Sequence, residues 1–167
     1  MEHDSMQLKK LSREAIPAAL EKADKYRLLN DPRDAESICL DILEVEPGNQ
    51  KAVVTLILAR TDQFPDSFPP EEAKKLLPLL TDDYARSYYS GIIYERQAKA
   101  QLDSRTPGAA SYAYGLLRQA MEQFEVAMSF RDAVNEEAVL RWNACVRMIA
   151  QSKLVPREEA NVEIMLE

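Results

Sequence analysis

Apolar residues recur along most of this chain at intervals of three and four, the spacing that gathers them on one face of an α-helix. Within DAESICLDILEV, residues 34–45, one such face takes Ala35, Ile38, Cys39, Ile42 and Val45 and leaves Glu36, Asp41 and Glu44 for water. Ile16, Leu20, Ala23 and Tyr26 or Arg27 form a similar stripe upstream. Between the stripes lie residues that start helices: Asp31 before Pro32, Asn49 after Pro47-Gly48, Pro69-Pro70 before Glu71-Glu72, Thr81-Asp82-Asp83, Thr106 before Pro107, and Asn135 before Glu136-Glu137. Proline in a first turn has no amide hydrogen to waste, and a short polar side chain ahead of it accepts an orphan amide. The pattern predicts seven main helices, near 13–30, 32–46, 50–63, 70–80, 82–104, 107–130 and 135–153, with a short one over 157–166 after Pro156. Ser12 is a candidate cap for the first; Pro17 leaves a start near residue 16 as the alternative. The longest connection, TDQFPDSFPP at 61–70, carries Phe64 and Phe68, which predict a loop pinned to the body.

Consecutive helix pairs with short turns call for a search for internal repetition. Ala23 is followed by Tyr26 three residues on, by Ala35 twelve residues on, and by Pro47 near the end of the pair. Residues 19–49 therefore resemble one complete tetratricopeptide repeat, a helix–turn–helix unit of about 34 residues. One step of that period reaches Ile57 and Arg60; the next reaches Gly91 and Tyr94, followed by Ala120, Phe124 and Ala127. The middle unit is degenerate, with Leu56, Ala73, Leu76, Leu77 and Leu80 but no small residue at 57, and a last helix with Trp142 would cap the array. The helices at 82–104 and 107–130 are longer than the repeat's, the loop at 61–70 is an insertion, and Asp132 stands where a closing proline is expected. YYSGIIYERQAKAQL, AMEQFEVAM and LRWNACVR are also similar to segments of bacterial tetratricopeptide proteins of unassigned function.

The resemblance implies an all-α fold, a right-handed superhelical array of antiparallel helix pairs with seven to eight helices. Its units would be 16–49, 50–80 and 82–130 with a cap at 135–153, in a repeat domain over 13–155. A flexible start at 1–12 and a short helix within 156–167 would flank it. Small residues at fixed intervals let helix backbones approach, so Gly91 and Gly115 are expected at close packing points. Stacked pairs leave a concave side lined by the first helix of each pair. The resemblance places Arg27, Val54, Leu58, Tyr88, Ile92, Glu95, Asn143 and Arg147 there. Asn143 and Arg147, four apart, would together hold a peptide's backbone or carboxylate.

Composition agrees with the helical class: β-branched residues are scarce and Ala, Leu, Glu, Gln, Arg and Lys fill the long segments. A net charge of −7 disfavours nucleic acid as a partner. No apolar run approaches the length of a membrane span and the start lacks a signal-peptide pattern, so a cytoplasmic location is expected, with no membrane partner. Cys39 and Cys145, far apart in apolar stripes, read as reduced packing residues.

Chemistry is sparse. GxxxxGK, GxGxxG and HExxH are absent, His3 is the only histidine, and Asp82-Asp83 reads as a helix start. The expectation is no catalytic, cofactor-binding or metal-binding residues, no cofactor, and no enzyme. The positions of the tetratricopeptide clamp for chaperone tails correspond to Leu20, Asp24, Thr55, Ala85 and Tyr89, which lack the required cations, so binding of such tails is not expected. What the resemblance implies is a non-enzymatic protein–protein interaction module or scaffold that binds a peptide or protein segment in a concave groove. A bacterial secretion chaperone of the same fold is the alternative; an enzyme using unrecognised carboxylates is a third reading. The helix at 157–166 would either cap the array or pair with another copy to form a homo-oligomer.

Overall fold

The computed structural model describes residues 6–130 and 134–157. Seven α-helices account for most of them: α1 Ile16–Leu28, α2 Pro32–Val45, α3 Gln50–Thr61, α4 Pro70–Lys74, α5 Asp83–Ser104, α6 Ala109–Phe130 and α7 Glu137–Gln151. Single 3-10 turns lie at Arg13–Ala15, Phe64–Asp66 and Leu77–Leu79, and there is no strand among the described residues. The chain is all-α.

Three of the anticipated caps are made by side chains. Asp31 Oδ1 accepts from the Asp34 amide at 3.4 Å, Asn49 Oδ1 from the Ala52 amide at 2.9 Å, and Asp82 Oδ2 from the Ala85 amide at 2.9 Å. Each satisfies a donor that the first turn leaves orphaned. Ser12 does not cap with its side chain; its carbonyl accepts from Ala15 in the 3-10 turn, and α1 begins at Ile16 with Pro17 in its first turn. The largest departure is at 70–80, where α4 ends at Lys74 and only a 3-10 turn follows. Pro78 explains it, because its ring would collide with the carbonyl four residues back, at Lys74, and it has no amide to continue the ladder. The segment expected as a helix at 157–166 lies, beyond Arg157, outside the described residues.

Helices α1, α2 and α3 pack in sequence, α3 meets α4 and α5, and α5, α6 and α7 again pack in sequence. Ile16, Leu20, Ile42 and Ala52 form a small core at one end. A central core joins Ala23 and Cys39 to Leu56, Ile57, Ala73 and Ile93, and includes Phe64, while Phe68 packs against it, so the loop at 61–70 is pinned as its phenylalanines predict. The third core is built from α6, through Leu117, Met121 and Phe124, with Ile92, Ala98 and Cys145. Cys39 and Cys145 are free and buried; burial is the main cause pushing both thiols up to about 12.

The two helical glycines divide. A Cβ on Gly91 would stand 2.5 Å from a ring carbon of Phe124, so the close approach of α5 and α6 requires its absence. Gly115 has nothing within 4 Å of that position, which corrects the expectation of close packing there.

Candidate interaction groove

Alternate helices converge on one open trough. A cavity of about 350 Å³ is lined by Arg27 of α1, Leu58 of α3, Tyr88, Tyr89, Ile92, Arg96 and Lys99 of α5, and Glu137 and Arg141 of α7. A second, of about 380 Å³, shares Arg27, Arg96 and Lys99 and continues past Thr61, Asp62, Ala100 and Asp103. On α5 the lining positions 88, 92, 96, 99 and 103 step by three and four, so one helical face supplies most of the wall.

Two carboxylates tie these helices together. Asp62, just after α3, accepts from Arg27 Nε at 2.7 Å and from Arg96 Nη1 at 2.5 Å, linking α1 to α5. Arg96 Nη1 also donates to Thr61 Oγ1 at 2.7 Å. Glu95, fully buried, receives both prongs of Arg141, with Nε at 2.9 Å and Nη2 on the other oxygen, and Lys99 Nζ at 2.9 Å. This links α5 to α7. A carboxylate with no exposure holds its charge only when paired and hydrogen-bonded in this way. Burial works against the charge on Arg141, and the hydrogen bonds and charge of Glu95 outweigh it, raising the guanidinium's hold on its proton. At Arg96 burial wins: its hold is lowered, with the charge of Arg27 adding to the effect and Asp62 opposing it.

Tyrosines form the apolar flank. Tyr84 stacks on Tyr88 with ring centres 5.6 Å apart, and Tyr89 meets Tyr88 edge-on at 5.1 Å. The Tyr88 phenol is pushed up to about 12, mainly by burial and further by the charge of Glu137.

Of the residues the sequence nominated, Arg27, Leu58, Tyr88 and Ile92 line the trough together. Glu95 lies beneath its wall, engaged with Arg141 and Lys99. Val54 packs on the central core instead. Asn143 and Arg147 line neither cavity, and Arg147 is exposed. The helical period gives the reason, because α7 presents Glu137 and Arg141 to the trough and position 143 lies about 200° around the helix from 141. The shared peptide contact expected of Asn143 and Arg147 is therefore not at this surface. Sequence reasoning missed Asp62, Arg96, Lys99 and Arg141. The continued three-and-four spacing after Ile92 signals Arg96 and Lys99, whereas nothing local signals the other two.

Among the described residues no group of three or more His, Cys, Asp and Glu side chains is placed to hold a metal ion, and no helix is long and apolar enough to cross a membrane. Comparison with family models, with curated proteins and with solved structures gives no match.

Proposed function

We propose that this chain is a non-enzymatic interaction module, a tetratricopeptide-like array in which α1, α3, α5 and α7 form an inner wall that receives a peptide or protein segment. One observation carries the reading: side chains from alternate helices open onto one elongated trough, while α2 and α6 contribute none of its lining. A bundle packed only for stability has no need of such a surface. The residue types agree, since tyrosine and arginine are enriched among side chains that dominate binding energy.

Site-specific photo-crosslinking in the native host tests it. A benzophenone amino acid at Leu28, which lines the trough and is 88% exposed, is expected to give discrete adducts. The same group at the exposed Glu122 on α6 is expected to give none of them. Equal adduct patterns from both positions would overturn the reading.

A further inference from the structure

The polar groups facing the trough are unbalanced toward donors. Asp62 and Glu95 are shared by four cations, Arg27, Arg96, Lys99 and Arg141. Arg27 and Arg141 each commit Nε and Nη2, which leaves Nη1 of both without a hydrogen bond among the described residues. Arg96 commits only Nη1, and its Nε and Nη2 have no hydrogen bond among the described residues. Bracing the helices accounts for the committed donors; the rest face the open trough, on side chains 19–33% exposed. The opposing acceptors are the Glu137 carboxylate on the wall and Asp103 in the continuation beyond Lys99. Four cations face three carboxylates, Asp62, Glu95 and Glu137, around the cavity that Tyr88 lines, and Asp103 in the continuation brings the trough to neutrality in a chain that carries −7 overall.

We propose that the occupant is an extended segment of a partner protein with an acidic residue beside an apolar one, its carboxylate received by Arg96 and Arg141 and its apolar side chain laid on Leu58, Tyr88 and Ile92. This rests on the trough being the binding surface. A carboxylate accepts forked bonds from guanidinium groups, and such charge-assisted bonds are roughly twice as strong as neutral ones. It would also relieve Arg96, whose charge is opposed by burial and by the nearby Arg27 and Arg141. The contact differs from a chaperone-tail clamp, because positions 20, 24, 55, 85 and 89 carry no cation. A polyphosphate backbone is disfavoured by the net charge.

Fluorescence anisotropy on the full chain, with labelled ten-residue peptides alternating glutamate with leucine, tests the assignment. Peptides with glutamine or lysine in place of glutamate are the comparisons. The glutamate peptide is expected to bind at least about tenfold tighter than either, and to weaken several-fold as salt rises from low to about 0.3 M. Arg96→Gln is expected to weaken it at least about fivefold, and Arg33→Gln, an equal charge change on the exposed start of α2, to leave it unchanged. Lys99→Gln, which leaves Glu95 its Arg141 fork, stands in if R96Q does not fold. Equal binding of glutamate and glutamine peptides, or equal weakening by R96Q and R33Q, overturns the acidic assignment. Adducts at Leu28 without any glutamate-peptide binding overturn it while leaving the interaction module intact. Binding that emerges only after deletion of 158–167, which carries Glu158, Glu159, Glu163 and Glu167, overturns the external partner in favour of the chain's own segment.

Discussion

At the junction of α1, α3 and α5 the carboxylate shared by two cations, Asp62, keeps a quarter of its surface in water, whereas at the junction of α5 and α7 its counterpart Glu95 keeps none. The chemistry is the same and the surroundings are not. Near the surface an ion pair is weakened by solvent and salt, so it adds little beyond fixing geometry. In the interior the charge has lost its water, and each remaining partner becomes necessary. The two junctions also differ in what else holds them. Helix α3 packs directly on both α1 and α5, while α7 packs chiefly on α6 and reaches α5 through the Arg141 fork. The second junction should therefore depend on its ion pair far more than the first.

Arg141→Ala is the most direct way to break that comparison. It leaves Glu95 buried with Lys99 alone, and removing one partner of a buried pair costs about 3 kcal/mol. Urea denaturation should show that loss, and Arg141→Lys, which keeps the charge without the fork, should lose less. A loss under about 1 kcal/mol for R141A would mean that Glu95 finds water once the fork is gone, and the two junctions would be equivalent.

The α5–α6 contact beside the same junction sets the next effect. Gly91→Ala places a methyl group against the fully buried Phe124 ring. Overpacking costs about 1–3 kcal/mol, and the gain in helix propensity, about 1 kcal/mol, offsets only part of it. A net loss of about 2 kcal/mol is expected at the upper end of that range, read from the urea midpoint. If G91A instead stabilises the chain, α5 and α6 are not pressed together there.

How far the sequence could foretell this contrast depends on the range of the signal. Caps at Asp31, Asn49 and Asp82 are local chemistry, legible within four residues, and all three form. Gly91 was legible through the 34-residue period, because small residues mark backbone approach. The break after Lys74 is also written locally, in Pro78, within the apolar series Ala73, Leu76, Leu77 and Leu80 that continues the helical spacing past it. Glu95 was not legible as a buried group. Its position on the face of Tyr88 and Ile92 suggests a solvated rim, and the partner that permits its burial lies 46 residues away on another helix. Tertiary pairing of this kind has no spacing to read. The same limit applies to Asn143, Arg147 and Arg141: which side of α7 turns inward is set by its packing on α6 through Ala138 and Cys145.

Asp62→Asn probes the exposed junction. Arg27 and Arg96 lose their shared charge but keep access to water, so a cost of about 1 kcal/mol is expected, shrinking further in salt of about 0.5 M. Measured in the same titrations, R141A should retain most of its larger effect at that salt, since buried pairs are screened much less. Equal salt sensitivity of the two variants would remove the distinction between the junctions.

The smallest effect runs in the opposite direction and isolates packing from propensity. Gly115 lies in the middle of α6 on an exposed position, with nothing within 4 Å of where a Cβ would stand. An alanine there meets no neighbour and reduces the conformational freedom of the unfolded chain, so Gly115→Ala should stabilise by about 0.5–1 kcal/mol. In a chain of this size that raises the melting temperature by roughly 1–4 °C. Since Gly91 and Gly115 sit on adjacent helices of one hairpin, opposite signs for G91A and G115A assign the difference to the Phe124 contact alone. Destabilisation by G115A would show that the cavity it borders, with Tyr112 and Arg157, is filled in solution by something that a methyl group displaces.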